Sequence, residues 1–201
     1  MSMTDSRSWD KPLVENALAS TWRPLRAAGA LAIGQIGRAH GLPGLTILHP
    51  LLRDSDIEVG ANAAYALGLL HDSISIGPLV AALAGSPAVA REAAWALGEI
   101  GTPARAAIVT ALANAPKDDG LAIQLLFAAG KVRPIPVPEV RPYLKLAARP
   151  SVQWAAAYAI ARTRVPAGVR DLITLASTPE FATSSSAPAP AVSAQIPTAE
   201  A

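Results

Sequence analysis

The chain has 201 residues, of which 51% are hydrophobic and 16% are charged, with a formal net charge of +2. This composition is that of a chain that folds around a core, and it excludes a wholly disordered protein. The absence of cysteine excludes disulfides, thiolate metal ligands and thiol nucleophiles. Aromatic residues make up only 4%, and alanine, the best helix former, dominates the apolar positions, so we predict an all-α fold.

The N-terminal segment contains no apolar stretch of the kind that a secretory signal needs. We therefore predict a flexible N-terminus at residues 1–11 and a cytoplasmic location. The longest uncharged run, residues 73–90, is broken by prolines and glycines. It predicts a soluble segment and no interaction with a membrane.

A pattern of small and apolar residues recurs through residues 12–177, and its clearest copy is AREAAWALGEIG at residues 90–101. The small residue of each copy stands at Gly34, Gly68, Gly98, Gly130 and Ala161. A period between about 20 and 50 residues is typical of a solenoid, in which repeated units stack to bury a shared core.

Apolar residues around each small position keep fixed offsets that follow the helical period and predict one buried stripe per repeat. Nine positions earlier stand Leu25, Val59, Val89, Leu121 and Val152. Two positions earlier stand Ala32, Ala66, Ala96, Ala128 and Ala159. One position earlier stand Ile33, Leu67, Leu97, Ala129 and Ile160. We expect the small residues of this stripe to let neighbouring helices approach closely.

A shorter apolar segment precedes each such helix and is predicted to form the first helix of a hairpin. These segments lie at 45–52, 78–83, 104–112 and 143–147, with a last one at 171–176. We predict about five helix hairpins within residues 12–177, closed by a single helix at 166–176. The Ala-, Pro- and Ser-rich residues 178–201 predict a disordered tail.

The segments VAREAAWALGEIGTPA and VGANAAYALGLL resemble HEAT repeats of the short kind found in phycobilisome-lyase-like proteins. That pattern has a valine, a polar pair, Ala-Ala, an aromatic or charged residue, Ala-Leu-Gly and Ile-Gly, then Thr or Asp before Pro. The resemblance implies a right-handed α-solenoid whose second helices line a concave groove. It implies little about function, because the family includes scaffolds, chromophore lyases and a few enzymes.

The position three residues before each small residue points away from the buried stripe and holds a column of large apolar side chains. This column is Leu31, Tyr65, Trp95, Phe127 and Tyr158. Such side chains offer contact area at low entropic cost, so the column predicts a partner-binding groove. The alternative is that each ring packs between adjacent helices as a spacer. Further candidates for the groove are Trp154, Arg91, Lys131 and Arg162.

Charge is unevenly distributed, with a net charge of −5 over residues 54–100 and +7 over residues 131–170. The basic region suggests an acidic partner, which is a protein, an anionic cofactor or a nucleic acid. The alternative is a solvated face whose cations stabilise helix C-termini.

Catalytic motifs are absent from the sequence. The three histidines, His40, His49 and His71, form none of the His-Glu pairs that bind iron in deoxyhypusine hydroxylase, a HEAT-type enzyme. Asp54, Asp56 and Glu58 resemble a calcium loop only in their acidity, and Asp56 is better placed as a helix N-cap. We therefore predict no catalytic residue, no metal site and no cofactor.

These observations favour a non-catalytic protein–protein interaction scaffold or adaptor that binds another protein in the groove. The family resemblance supports one alternative, a bilin lyase-like protein or chaperone that handles a chromophore. A second alternative, nucleic-acid binding, depends on the basic region alone.

Overall fold

The computed structural model describes residues 11–40, 46–114, 116–145, 149–162 and 166–177. Within these ranges all regular structure is helical and no β-strand occurs. The α-helices are α1 (Lys11–Leu18), α2 (Arg23–His40), α3 (Ile57–Leu70), α4 (Ile76–Ala82), α5 (Pro87–Ile100), α6 (Arg105–Ala113), α7 (Asp119–Lys131), α8 (Val137–Val140), α9 (Pro150–Ala161) and α10 (Pro166–Ala176). None of these helices is both long enough and apolar enough to cross a membrane. The predicted tail and nearly all of the predicted flexible N-terminus lie outside the described residues.

The helices form two layers. Helices α2, α3, α5, α7 and α9 make the second layer, in which each helix packs against the next. The first layer contains α1, α4, α6, α8 and short 3₁₀ segments, and each of its four α-helices packs against the following second-layer helix. Helix α10 packs against α9. The predicted all-α solenoid of five hairpins and a closing helix is therefore confirmed.

Local capping explains where the second-layer helices begin and end. The Asp56 carboxylate accepts hydrogen bonds from the backbone N–H groups of Glu58 and Val59, at 2.9 and 3.3 Å, which confirms it as the N-cap of α3. Asp118 caps α7 in the same way. Helix α5 is followed by Gly101, whose φ of 79° is readily adopted only by glycine.

Two first-layer segments are shorter than expected. The structure has 3₁₀ turns at Thr46–Leu48 and Pro50–Arg53, and at Arg141–Lys145 after the single turn of α8. The expectation of an α-helix at 45–52 and at 143–147 was therefore wrong over the described residues. Proline explains the difference, because Pro50 and Pro142 have no N–H to donate to the hydrogen bonds of a longer α-helix.

The recurring small residues hold consecutive second-layer helices close together, as predicted. A Cβ atom added to Gly34 would lie 2.6 Å from the Cα of Ala66, and one added to Gly68 would lie 2.9 Å from the Cα of Ala96. In each case the neighbour is the alanine two positions before the small residue of the next repeat. The glycine and alanine columns therefore meet at every repeat boundary from α2 to α9.

The buried stripe breaks down at the two ends of the solenoid. Leu25, which the pattern predicts to be buried, is exposed, and so is Ala161, the last of the small residues. The reason is positional, because Leu25 occupies the side of α2 that would face a preceding second-layer helix. Ala161 occupies the side of α9 that would face a following one. Among the described helices, neither position has such a neighbour.

Candidate functional site

The second-layer helices expose the side that points away from the first layer, and we call this side the second-helix face. Counted from each recurring small residue, it comprises the positions three, six and seven residues earlier and the position one residue later. In α3, α5, α7 and α9 these positions are mostly half-buried or exposed, whereas the opposite side of each helix is buried. All the predicted groove residues lie on this face: Leu31, Tyr65, Arg91, Trp95, Phe127, Lys131, Trp154, Tyr158 and Arg162.

The first aromatic cluster on this face joins three successive repeats. Tyr65 of α3 and Trp95 of α5 are stacked, with ring centroids 4.6 Å apart and planes 20° apart. A Cβ atom on Gly68 would lie 2.5 Å from the Trp95 ring, so the indole lies directly over this glycine. The Nζ of Lys131 in α7 lies 5.8 Å from the Trp95 ring centroid and also pairs with Glu99. These contacts are the ones expected of a spacer, which was the alternative to a binding role.

The second aromatic cluster lies at the C-terminal end of the face and is more open. Trp154 and Tyr158 of α9 are stacked with centroids 5.7 Å apart, and Phe127 of α7 meets both rings edge-on at 6.0 and 5.5 Å. Trp154 is 39% exposed and Tyr158 is 41% exposed. The Arg162 guanidinium lies 5.8 Å from the Tyr158 ring centroid, and its Nε donates to the carbonyl of Gly130 at 2.9 Å. This cluster presents aromatic and cationic surface to solvent.

The remaining predicted residues are less available for binding. Arg91 lies over Gly120 at the start of α7, where its Nη1 is 3.9 Å from the Asp118 carboxylate. Leu31 is half-buried and takes part in neither aromatic cluster. Among the described residues, no ring contact joins the two clusters. The predicted column is therefore two separate groups.

Ion pairs between adjacent repeats are the feature that the sequence analysis missed. Arg26 pairs with Asp54 at 2.8 Å, Arg141 with Asp171 at 2.9 Å and Arg149 with Asp119 at 2.6 Å. A net charge summed over a long block of sequence does not reveal such pairs. The sequence did contain a signal for them, since the paired residues have opposite charges and stand about one repeat apart. The pairs neutralise part of the basic region and so reduce the field on which nucleic-acid binding would depend.

Several cations of the basic region still have no carboxylate partner in the part of the chain that the structure describes. These are Arg133, Lys145, Arg162 and Arg170. Arg133 and Arg162 instead donate to backbone carbonyls near the end of α7. Of these cations, Arg162 belongs to the second aromatic cluster, where its guanidinium lies against the Tyr158 ring.

Comparison with known proteins agrees with this architecture. Residues 45–130 match the family described as HEAT repeats. A similar solved structure is a chain from the complex of CpcE and CpcF of phycocyanin lyase from Nostoc sp. PCC7120, with a TM-score of 0.62 and 22% sequence identity. The match covers 87% of this chain and 73% of that chain. No curated protein sequence matches.

A carboxylate stands on the second-helix face of the third repeat. Glu92, beside Arg91 in α5, is half-buried. Burial raises the pKa of the Glu92 carboxyl above its ordinary value, and the nearby Arg91 charge opposes that shift only in part. Protonation of Glu92 therefore begins at a higher pH than for an exposed glutamate.

The described histidines of the HEAT repeats make structural hydrogen bonds. His71 Nδ1 lies 2.7 Å from the carbonyl oxygen of Glu99 in the next repeat, and His49 Nε2 lies 3.0 Å from Ser75 Oγ. Within the described ranges, no group of three or more metal-ligating side chains comes together.

Proposed function

We propose that this HEAT-repeat chain is a non-catalytic scaffold that binds a protein partner through the C-terminal part of its second-helix face. The observation that carries the proposal is the exposed stack of Trp154 and Tyr158 beside Arg162. Tryptophan, tyrosine and arginine are the residues most enriched at energetic hot spots of protein interfaces. Here all three lie on one side of one helix.

The chemistry of the surface indicates what the partner must offer. The two rings favour an apolar or ring-shaped side chain, which would cover surface that water now contacts. Arg162 and the other unpaired cations of the last two repeats favour carboxylates at the edge of the contact. We therefore expect a partner segment that is apolar at its centre and acidic at its flanks.

The test is affinity capture from a lysate of the native host, comparing three forms of the chain. The forms are wild type, the double variant Trp154→Ala with Tyr158→Ala, and the control Trp22→Ala. Trp22 is 64% exposed and lies before α2, away from the second-helix face. We expect wild type and control to retain a protein that the double variant loses, with all three showing the same helical circular dichroism.

Titration calorimetry with the purified partner then measures the loss directly. Removing two hot-spot side chains should weaken binding by tenfold or more. Equal capture and equal affinity for all three forms would mean that this surface does not bind the partner.

A second candidate is chromophore handling, and the fold likeness to a chain of the phycocyanin lyase complex favours it. The stacked rings of Trp154 and Tyr158 would support a planar conjugated ligand, and Arg162 would pair with its carboxylates. The test is to mix the chain with a linear tetrapyrrole and record the visible spectrum. A red shift that Trp154→Ala reduces supports the candidate, and an unchanged spectrum contradicts it.

A further inference from the structure

The side of α9 that carries Trp154, Tyr158 and Arg162 has a regular geometry. These residues are spaced four apart and so lie one above another on the helix, and we call them the α9 ladder. The ring centroids of the first two are 5.7 Å apart, and their planes differ by 15°. Closely spaced aromatic rings of this kind form the grooves that bind proline-rich segments in the polyproline II conformation.

The chain contains a segment of matching chemistry. Residues 178–201 contain four prolines and include the run Ala-Pro-Ala-Pro-Ala at 187–191. Such a composition favours the polyproline II conformation, which advances ~3.1 Å per residue. Pro188 and Pro190 would then lie ~6 Å apart along the axis of the segment.

The position of the tail favours contact with this ladder. Helix α10 packs against α9, so the tail starts from the helix next to the one that carries the rings. Eleven residues lie from the end of Ser177 to Pro188, and extended chain of that length spans up to ~36 Å. Helix α9 has 12 residues and is ~18 Å long. The proline run therefore reaches any point on α9.

Charge complements the geometry. The tail contains Glu180 and Glu200 and no lysine or arginine. The ladder presents a basic surface at Arg162, which has no carboxylate partner among the described residues. Attraction between the acidic tail and this basic surface adds to the contact between proline and aromatic rings.

We propose that the proline run at 187–191 docks on the α9 ladder of its own chain. Because the tail is tethered, its effective concentration at the ladder is on the order of millimolar, so weak intrinsic affinity populates the docked state. A docked tail covers Trp154 and Tyr158 and would compete with any ligand for them. That regulatory consequence rests on the proposed function, whereas the docking itself does not.

The test uses the full chain and needs one new thiol, since the sequence has no cysteine. A nitroxide label is attached through Ala191→Cys, and the tryptophan indole N–H signals are recorded by NMR with the label oxidised and reduced. We expect the Trp154 signal, assigned with Trp154→Phe, to lose more than half of its intensity with the oxidised label. The Trp22 signal, from the other end of the solenoid, should keep its intensity.

A matched pair of variants makes the result specific. Replacing the prolines in the labelled chain by Pro188→Asn and Pro190→Asn should restore the Trp154 signal, whereas Ser184→Asn with Ser185→Asn should leave it weakened. Equal loss for Trp154 and Trp22, or loss that survives the proline changes, would overturn the proposal. If the nitroxide on one chain weakens the Trp154 signal only of a second, unlabelled chain, the tail docks on another copy. That result would also overturn the proposal. No partner is present in this experiment, so its failure leaves the capture result standing.

Discussion

Gly98 of α5 lies so close to Ala128 of α7 that a Cβ atom on the glycine would stand 2.9 Å from the alanine Cα. The atom in the way is backbone, which cannot rotate aside as a long side chain can. Any side chain at residue 98 must therefore push the two helices apart. Because the same relation recurs along the second layer, these glycines set the spacing between repeats.

We predict that Gly98→Ala destabilises the protein by about 1–3 kcal/mol, the usual result of overpacking a core. This loss occurs although alanine favours a helix over glycine by up to about 1 kcal/mol. Urea unfolding followed by circular dichroism measures the free energy of unfolding. The control is Gly77→Ala in α4, where an added Cβ meets no atom within 4 Å and stability should rise. Equal changes in both variants would show that repeat spacing is not what Gly98 controls.

The repeat boundaries were predictable because they depend on a periodic one-dimensional signal. Gly34, Gly68 and Gly98 each stand at the same offset in sequence from their apolar neighbours. Close packing of the helices is the only feature that requires this offset. The 3₁₀ turns were harder to predict from the sequence, because a proline such as Pro50 is found both at the start of a helix and at a break in one. The exposure of Leu25 was hidden for another reason, since pattern analysis treats terminal repeats like internal ones.

The sequence predicted which residues lie on the second-helix face, but it did not predict how their side chains contact one another. Position relative to the small residue placed Trp95 and Tyr158 on the same face, and both lie there. Their different environments depend on what the next repeat supplies. Lys131 pairs with Glu99 beside Trp95, whereas within the described residues no further second-layer helix follows the one that carries Tyr158. That difference arises from three-dimensional neighbours, which the period does not encode.

The ion pair between the first two repeats makes stability depend on pH. Arg26 Nε and Nη2 donate to the two carboxylate oxygens of Asp54 at 2.9 and 2.8 Å. The hydrogen bond from Arg26 is the largest cause that lowers the pKa of Asp54 from its ordinary value of 3.8. The unfolded state then binds the proton more tightly. Stability from this pair is therefore full above pH 3.8 and is lost as pH falls through the folded pKa.

We predict that Arg26→Met lowers the free energy of unfolding at pH 7, because it removes the cation that pairs with the Asp54 carboxylate. The variant should also lose less stability than wild type when acidified. The control is Arg23→Met, since Arg23 is mostly exposed and lies 3.4 Å from Asp56. An exposed pair contributes about 0–1 kcal/mol. Parallel acid unfolding curves for wild type and Arg26→Met would contradict the role of this pair.

Glu92 should have the opposite pH dependence. Burial raises the pKa of its carboxyl above the ordinary value of 4.5, so the folded state binds the proton more tightly than the unfolded state. Stability therefore falls as pH rises from 4.5 through the raised pKa. We predict that Glu92→Gln raises the melting temperature at pH 7 and that the difference from wild type vanishes at more acidic pH.

Calorimetric melting between pH 3 and pH 8 checks this prediction for Glu92. The matched control is Glu58→Gln in the first turn of α3, where a negative charge favours the helix N-terminus. That variant should be slightly less stable at neutral pH, by about 0.3–1 kcal/mol. A stabilisation of Glu92→Gln that is the same at every pH would mean that the buried charge is not its cause.

Trp95 and Trp154, two tryptophans of the second-helix face, should lose different amounts of stability when each is truncated to alanine. This difference separates the spacer role from the binding role. Trp95 stacks on Tyr65 and covers Gly68, so Trp95→Ala opens a cavity at a repeat boundary and should cost about 3–5 kcal/mol. Trp154 is 39% exposed and loses mainly its contacts with Phe127 and Tyr158. For Trp154→Ala we expect a cost of only about 1–2 kcal/mol.

Urea unfolding of both variants measures the two costs, and the result decides which side chains can serve in binding experiments. If Trp154→Ala keeps wild-type circular dichroism, loss of a partner by that variant reports on contact and not on unfolding. If instead it loses as much stability as Trp95→Ala, the C-terminal rings are spacers too. The unpaired cations Arg133, Lys145 and Arg170 would then be the remaining surface on which a partner could be sought.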